Sequence, residues 1–305
     1  MPTERPLRLV VAGRHGQIAN ALQACASTKQ KVLTLARPEL DLASSDDPTD
    51  LFAQLRPDVI VNAAAYTAVD KAESEPELAR VINARGAGLV ARAASKLGIP
   101  IIQISTDYVF DGYATRSYRE SDPTAPLNVY GATKLAGEQA VKEMTLNHVI
   151  LRTSWVYSGY SRNFMLTMLK LARERKEIRV VADQFGAPTS ASDTASAIVA
   201  VARHLVDRPQ DAALRGIFHL ANTGETSWAG FATEIFKVSA EYGGPSASVI
   251  PIATSEYPTA ARRPASSRLD ISKITQLEGV RLRPWAEALR AVFQTQDIIP
   301  PVKMT

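Results

Sequence analysis

Cysteine and long apolar runs are nearly absent from this chain of 305 residues. Its one cysteine, Cys25, excludes an internal disulfide and is typical of a reducing cytoplasm, where we expect it to pack as a small apolar residue of the first helix. No stretch approaches the ~20 apolar residues that cross a bilayer, and the polar start at 1–6 lacks the apolar core of a signal peptide. These absences predict a soluble cytoplasmic protein without a membrane partner.

Histidine and excess charge are also scarce. The four histidines, at positions 15, 148, 204 and 219, show no metal-ligand spacing. The 35 basic and 31 acidic residues leave a net charge of only +4, and the basic residues are dispersed along the chain. A nucleic-acid binder concentrates such charge on one face beside aromatic side chains. We therefore predict neither a metal site nor a nucleic-acid partner.

What the chain does contain is a regular alternation of short apolar runs and helical patterns. Strands are predicted at 7–11, 31–35, 59–62 and 100–105, with helices at about 17–27, 47–55 and 77–97. Further strands near 147–153, 179–181 and 216–220 should complete the sheet, and 190–205 has the periodicity of a helix that covers it. Continuous apolar strands between helices indicate parallel strands covered on both faces. The pattern predicts an α/β fold with a Rossmann-type doubly wound parallel sheet and a smaller, non-contiguous lobe.

The first strand leads into the turn Gly13-Arg14-His15-Gly16 and then into a helix. Glycine lets the backbone approach a pyrophosphate closely, and the helix N-terminus attracts its negative charge. The GxxGxxA spacing ends on Ala19, which is still small enough for close packing of helix on strand. This order fits a dinucleotide site, although an ordinary strand-to-helix turn has the same pattern.

Tyr130 and Lys134 are four residues apart on a predicted helix, and Ser105-Thr106 ends the fourth strand. Residues four apart share a helix face, so we expect the Lys134 ammonium to lower the Tyr130 pKa from its usual ~10 toward neutrality. Such a tyrosine can transfer a proton at physiological pH. The YxxxK pattern also arises by chance in unrelated chains, and only the order of the surrounding segments favours chemistry here.

Candidate ligand contacts follow each of the first four strands. Since ligands collect at the carboxyl ends of parallel strands, these positions should face one site. In chain order they are Gly13, Arg37, Asn62-Ala63-Ala64-Ala65 and Ser105-Thr106-Asp107.

These segments resemble the extended short-chain dehydrogenases/reductases, and within them the dTDP-4-dehydrorhamnose reductase subfamily. The similarity covers nearly the whole chain in five blocks, which are VNAAAYTAVDKAES (61–74), PLNVYGATK (126–134), RTSWVY (152–157), DQFGAPT (183–189) and ARRPASSRL (261–269). The resemblance implies NADPH-dependent reduction of the C4 ketone of dTDP-4-dehydro-L-rhamnose to dTDP-L-rhamnose.

The resemblance also implies roles for individual residues. Tyr130 would donate the proton, Lys134 would lower its pKa and bind the nicotinamide ribose, and Thr106 would hydrogen-bond the carbonyl oxygen. The implied cofactor contacts are Gly13, Arg14, Gly16, Gln17, Ile18, Arg37, Asp41, Leu42, Ala63, Ala64, Ala65, Tyr130 and Lys134. The implied substrate contacts are Thr106, Asp107, Trp155, Arg262, Arg263 and Ser267. Guanidinium groups suit a diphosphate, and Arg263 is the better candidate of the two arginines.

The predicted domains follow from the break in the alternation. Residues 1–154 plus about 179–221 would form the NADP-binding Rossmann domain. Residues of about 155–178 plus 222–305 would form the sugar-nucleotide-binding lobe.

The end of the second strand bears on the cofactor. Folds specific for NAD usually place a carboxylate there, whereas an arginine suits the 2′-phosphate of NADP. This chain has Leu35-Ala36-Arg37, and Arg14 adds a second positive group. We predict NADPH, with NADH as the second option.

Other reactions of the superfamily fit less well. Tyr108 stands where a 4,6-dehydratase carries glutamate, and a 4-epimerase would have a GxxGxxG turn and a carboxylate after the second strand. Two alternatives remain open. One is a reductase of another nucleotide-linked 4-keto-6-deoxy sugar, since the sequence does not identify the base. The other is a non-catalytic regulatory subunit resembling the methionine adenosyltransferase beta subunit.

Ala21 departs from the pattern of some family members, which carry at this position a glutamate of a magnesium-bridged dimer. Alanine cannot bind a cation. We therefore predict no metal, and either a monomer or a homodimer without a magnesium bridge.

Overall fold

A six-stranded parallel sheet forms the centre of the molecule in the computed structural model, which describes residues 5–295 and 298. The strands are β1 (Leu7–Ala12), β2 (Gln30–Leu35), β3 (Val59–Asn62), β4 (Ile101–Thr106), β5 (His148–Thr153), β6 (Val156–Tyr157), β7 (Glu177–Val181), β8 (Phe185–Gly186), β9 (Thr189–Ser190), β10 (Gly216–His219), β11 (Thr226–Ser227), β12 (Ser248–Ile252) and β13 (Ser266–Ser267). The helices are α1 (Gln17–Ala24), α2 (Thr49–Leu55), α3 (Val69–Ala72), α4 (Pro76–Arg80), α5 (Ala87–Lys96), α6 (Val129–Met144), α7 (Phe164–Ala172), α8 (Ala191–Asp207), α9 (Trp228–Glu241) and α10 (Trp285–Thr295).

The strand order of the central sheet is β10-β5-β4-β3-β1-β2, and every neighbouring pair is parallel. Every residue of β3, β4 and β5 is buried, because helices cover both faces. α1 and α8 pack on one face, and α2, α5 and α6 pack on the other. The predicted Rossmann-type fold is confirmed.

The strand predicted near 179–181 does not belong to this sheet. It is β7, which pairs in parallel with β12 as a separate two-stranded sheet. Its residues alternate between exposed and buried, so β7 has only one face to bury, and that face packs against α7 and α9. The prediction that it completes the central sheet was therefore wrong.

The long helix predicted at 77–97 is interrupted by a π-helical turn. α4 runs into the π segment Val81–Gly86, which continues directly as α5. The extra residue in this turn directs the side chain of Asn83 toward α6, where its amide donates to the Thr133 hydroxyl (3.1 Å).

A second apolar core lies among α7, β7, α9 and α10. It contains Tyr157, Met165, Phe231 and Leu289, each fully buried. The division of the chain into two lobes stays a prediction, and its ends at 1–4 and at 296–305, except 298, lie outside the described residues. No helix within the described ranges is both long and apolar enough to cross a membrane.

Candidate active site

The end of β4 and the start of α6 bring the predicted catalytic residues together. Thr106 is the last residue of β4, and its hydroxyl accepts a hydrogen bond from the Tyr108 N–H (3.2 Å). α6 is capped by Asn128, whose Oδ1 accepts from the Gly131 N–H (2.8 Å). Asparagine is a favoured N-cap, and this cap fixes the turn that carries Tyr130.

The Tyr130 phenol lies near enough to the Thr106 hydroxyl for that hydroxyl to affect its pKa. Burial of the phenol raises the pKa of Tyr130 above its ordinary value, while the Thr106 hydroxyl opposes the rise and the nearby Asp107 adds to it. The expectation that Lys134 lowers this pKa was wrong. Lys134 directs its ammonium to the Ile104 carbonyl oxygen instead (2.7 Å).

Lys134 is itself almost fully buried, and burial lowers the pKa of its ammonium to about 8. Glu138, one turn further along α6, opposes that change by its negative charge. The Glu138 carboxylate accepts two hydrogen bonds from Arg152 (2.9 and 2.7 Å) and one from the Ser105 hydroxyl (2.5 Å). The buried Glu138 carboxylate, itself paired with Arg152, therefore stabilises the charged form of Lys134.

Asp107 completes the polar group at the end of β4. Its carboxyl is buried, which raises the pKa to about 7, although the hydroxyls of Ser267 and Thr106 oppose the rise. Oδ1 accepts from Thr106 (3.0 Å), whereas Oδ2 has no hydrogen-bond partner among the residues that the structure describes. Since buried polar atoms are normally paired, this oxygen fits a polar group brought by a ligand. The predicted substrate contacts Thr106, Asp107 and Ser267 thus lie together.

The glycine turn fits an anionic dinucleotide. Gly13 has φ +118°, which other residues rarely adopt, and a Cβ there would lie 3.2 Å from the Ala64 nitrogen. No side chain within the described ranges caps α1, and its first turn holds no acidic residue. The free N–H groups of that turn are the kind that bind a pyrophosphate. Ala63 and Ala64, directly after β3, lie against Gly13 of this turn. A role of Ala63, Ala64 and Ala65 in cofactor binding stays a prediction.

The two arginines predicted near a 2′-phosphate differ in their surroundings. Arg14 donates to the Glu39 carboxylate and to the Thr34 carbonyl oxygen, both at 3.1 Å. Arg37 is exposed and makes no ion pair with any described residue. Arg37 is therefore the arginine whose guanidinium is available to an added anion.

Other predicted cofactor residues have structural partners. The Gln17 side chain donates to the Val156 carbonyl oxygen (3.0 Å) and accepts from the Ser158 hydroxyl (2.8 Å). Ile18 packs on the central core, and Leu42 is buried in the core on the opposite face of the sheet. The Asp41 carboxylate accepts from the Ala43 N–H within its own loop (2.9 Å). These contacts shape the site, and a role of the four residues in cofactor binding stays a prediction.

Trp155 lies at the end of an aromatic group that belongs to the second core. Its ring stacks on Trp228 at a centroid distance of 3.5 Å, and its backbone has φ +49°. A non-glycine residue in this region is strained, so the packing around the indole must hold it there. Gly186 forms part of that packing, because a Cβ on it would lie 2.7 Å from the ring.

Arg262 and Arg263 line a cavity of about 480 Å³. Its wall also includes two exposed tyrosines, Tyr113 and Tyr257. The Arg262 guanidinium hydrogen-bonds the Tyr113 hydroxyl, and Arg263 pairs with Asp70 (2.6 Å). The size of the cavity is that of a small-molecule site, and its arginines suit phosphate groups.

Sequence reasoning missed several residues of this region. Asn128 could have been found as a helix cap, because it stands just before the periodic segment of α6. Asp70, Glu138 and Trp228 carry no local signal, since their contacts are made with segments far away in the sequence.

A Rossmann-type sheet with tyrosine, lysine and threonine at the carboxyl end of its fourth strand defines an extended short-chain dehydrogenase/reductase. The family model described as the RmlD substrate binding domain matches residues 7–298. The chain therefore belongs to this family, that of the dTDP-4-dehydrorhamnose reductases.

Individual relatives agree over almost their full length. The chain is 50% identical to a dTDP-4-dehydrorhamnose reductase of Sinorhizobium fredii over 284 residues, which are 93% of this chain and 96% of that protein. A solved dTDP-4-dehydrorhamnose reductase of Bacillus anthracis, in complex with NADP, is 37% identical with a TM-score of 0.86, over 95% of this chain and 99% of that one. The reductase of Clostridium acetobutylicum is 35% identical with the same TM-score, over 94% and 99% of the two chains.

Proposed function

We propose that this protein reduces the C4 ketone of dTDP-4-dehydro-L-rhamnose to dTDP-L-rhamnose, with NADPH as hydride donor and Tyr130 as proton donor. The observation that carries the proposal is that Thr106, at the end of β4, and Tyr130, in the first turn of α6, lie side by side. The NADP complex of the Bacillus anthracis relative supports the cofactor. The names of the relatives support the substrate.

The reaction needs a hydride, which NADPH supplies when bound, and a proton. The Tyr130 phenol stays protonated at neutral pH because burial raises its pKa, and a proton donor must be in that state. Thr106 has a single hydroxyl hydrogen, which Asp107 Oδ1 accepts in this structure. On substrate binding this hydrogen turns to the same substrate oxygen and stabilises the charge that develops there. Asp107 accepts from a substrate hydroxyl through its unpaired Oδ2.

Lys134 binds the nicotinamide ribose in this proposal. An ammonium has three N–H groups, of which the Ile104 carbonyl oxygen takes one. Arg37 and, more weakly, the Glu39-paired Arg14 bind the 2′-phosphate. The glycine turn holds the pyrophosphate against the start of α1, near Gly13.

The sugar nucleotide lies between the catalytic residues and the cavity of about 480 Å³. Trp155 contacts the sugar, and the arginines at 262 and 263 bind the diphosphate. The proposed lobes follow from these roles, with 1–154 and about 179–221 binding the cofactor, except that β7 joins the sugar-nucleotide lobe.

The test is the loss of NADPH absorbance with dTDP-4-dehydro-L-rhamnose, compared with the UDP-linked 4-keto sugar. We expect turnover with the dTDP substrate and much less with the UDP substrate. Faster turnover of the UDP substrate would make the protein a reductase of another nucleotide sugar. Binding of NADPH without turnover of either substrate would favour the regulatory role.

A further inference from the structure

We propose that Asn128 is a positioning residue that ties the catalytic helix α6 to the segment 261–263, and that Asp70 holds the same segment from the other side. The proton donor and the arginines that meet the nucleotide are thereby aligned as one unit. This inference rests on the proposed function, in which those arginines bind the diphosphate.

Asn128 uses both ends of its amide. Oδ1 accepts from the Gly131 N–H (2.8 Å), which caps α6, and Nδ2 donates to the Arg262 carbonyl oxygen (2.8 Å). A helix cap needs only an acceptor, which serine or aspartate would supply equally well. The second bond needs a donor, and asparagine carries its acceptor and its N–H donor on two separate atoms that reach different partners, whereas serine has one oxygen for both roles. Asn128 is 7% exposed, so water has little access to replace either bond.

Asp70 makes a second pair of bonds to the same segment. Oδ1 accepts from the Ala261 N–H (3.1 Å), and Oδ2 accepts from the Arg263 guanidinium (2.6 Å). Asp70 belongs to α3, a helix of only four residues that follows β3. Its partner Arg263 lies 193 positions further along the sequence. Asn128 and Asp70 thus hydrogen-bond to three consecutive residues, those of the segment 261–263.

Two ring contacts connect the segment 261–263 to the proton donor, Tyr130. The Arg263 guanidinium carbon lies 6.0 Å from the centre of the Tyr108 ring, and Tyr108 meets the Tyr130 ring edge to face at 5.7 Å. Residues 261–263 belong to neither a strand nor a helix, so their position depends on the burial of Ala261 and on side-chain bonds such as those of Asn128 and Asp70. Loss of the Asn128 bond should therefore disturb nucleotide binding without unfolding α6.

The experiment measures binding of dTDP to the NADPH-loaded protein by calorimetry, so that it does not depend on turnover. Asn128→Ser keeps an acceptor for the helix cap, and its shorter side chain lacks the Nδ2 atom that reaches the Arg262 carbonyl oxygen. We expect its Kd for dTDP to rise about 5–10-fold, the usual effect of losing one hydrogen bond, with the NADPH Kd and the Tm nearly unchanged. Asp70→Ala removes both bonds to the segment and should raise the same Kd, even though it also removes a negative charge beside Arg263. The double variant should show less than the product of the two effects, because both residues hold one segment.

Glu241→Gln is the control, because it removes the charge of an exposed ion pair with Arg290, neither residue lines the cavity, and the dTDP Kd should stay unchanged. An unchanged dTDP Kd in Asn128→Ser would overturn the proposal. So would a joint loss of dTDP affinity, NADPH affinity and Tm, since this is the result of a damaged helix. A wild type that does not bind dTDP also overturns it. A wild type that binds dTDP but does not reduce the sugar refutes the proposed function alone.

Discussion

Burial sets the protonation of the titratable residues at the site. It raises the pKa of Tyr130, lowers that of Lys134 to about 8 and raises that of Asp107 to about 7. In each case the charged form is disfavoured, as expected for groups withdrawn from water. The tyrosine is therefore in its donor form at neutral pH, while the lysine and the aspartate titrate near it.

Tyr130→Phe tests the proton donor. The variant loses one hydroxyl and little else, so we expect turnover to fall at least ~100-fold, the usual scale of general acid catalysis. The NADPH Kd should stay within a small factor of the wild-type value. Stopped-flow turnover and fluorescence titration of NADPH measure the two quantities, and near-normal turnover would remove Tyr130 from its role.

The pH profile tests Lys134. The ammonium is lost as the pH rises through about 8, because burial lowers its pKa. We expect kcat/KM for the sugar nucleotide at saturating NADPH to fall above that pH. Glu138→Gln should move the fall to lower pH, since the negative charge of Glu138 raises the lysine pKa. A wild-type profile that stays flat to pH ~10, the range of an unperturbed lysine, would contradict this assignment.

Arg37→Ala tests the choice of cofactor. The guanidinium is exposed and makes no ion pair with the described residues, so it is available to the 2′-phosphate. A charge-assisted hydrogen bond contributes roughly 1.5–3 kcal/mol, so the NADPH Kd should rise at least ~10-fold and the NADH Kd should change little. Arg14→Ala is the control with a smaller expected effect, because Glu39 already pairs with Arg14. Equal loss for both cofactors would place Arg37 away from the phosphate.

At the scale of single residues, the sequence predicts the features that depend on local spacing along a helix or a strand. The spacing of Tyr130 and Lys134 and the position of Thr106 at a strand end were sufficient to bring these residues into one site. The raised pKa of Tyr130 was not predictable, because it depends on how closely β4 and α6 pack. Asp70 was missed because its partner is 193 positions away.

Among the elements, the π segment Val81–Gly86 connects the loop after β3 to the catalytic helix. Asn83 accepts from the Tyr66 N–H (2.8 Å) and donates to the Thr133 hydroxyl (3.1 Å). α6 approaches this segment closely at Gly137, where a Cβ would lie 2.1 Å from the Asn83 carbonyl oxygen. The backbone contact leaves no space for a side chain.

Gly137→Ala tests that contact. Alanine normally stabilises a helix relative to glycine by about 1 kcal/mol. Here we expect the opposite sign, a loss of about 1–3 kcal/mol in the free energy of unfolding, as is usual for overpacking. Urea denaturation measures it, and Ala132→Gly at an exposed position of α6 reports the ordinary helix preference. A stabilised Gly137→Ala variant would show that α6 and the π segment can separate.

The sequence pattern predicted the elements of the central sheet but not the pairing of β7. Strands β1, β3, β4 and β5 are short, almost entirely buried apolar runs, and this pattern alone places them inside a parallel sheet. β7 has an alternating pattern that fits any sheet with one open face, and only its packing against α7 and α9 decides where it pairs. The π turn was not predicted either, because it leaves the helical periodicity of the sequence almost unchanged.

For the whole molecule, two predictions are still to be tested: that no metal is bound, and that the protein is a monomer or a homodimer without a magnesium bridge. Ala21 is 2% exposed and packs in the central core, so this position does not present a side chain to a second copy. The described part of the chain holds no cluster of three or more acidic, histidine or cysteine side chains suited to a metal ion. We expect EDTA to leave the gel-filtration volume, the Tm and the activity unchanged. A shift to a smaller species that added magnesium reverses would show that other oxygen ligands form a bridge.

The second core has a consequence for the synthesis of the chain. Its β-pair joins Glu177–Val181 to Ser248–Ile252, which begins 71 residues later. At ribosomal rates of about 5–20 residues per second, this delay is roughly 4–14 s. During that interval β7 lacks the strand that pairs with its edge, and α9, which packs on α7 and β7, follows only at 228–241. Exposed apolar surface and an unpaired strand edge favour aggregation of the nascent chain, and a chaperone that shields 164–181 would act at this stage.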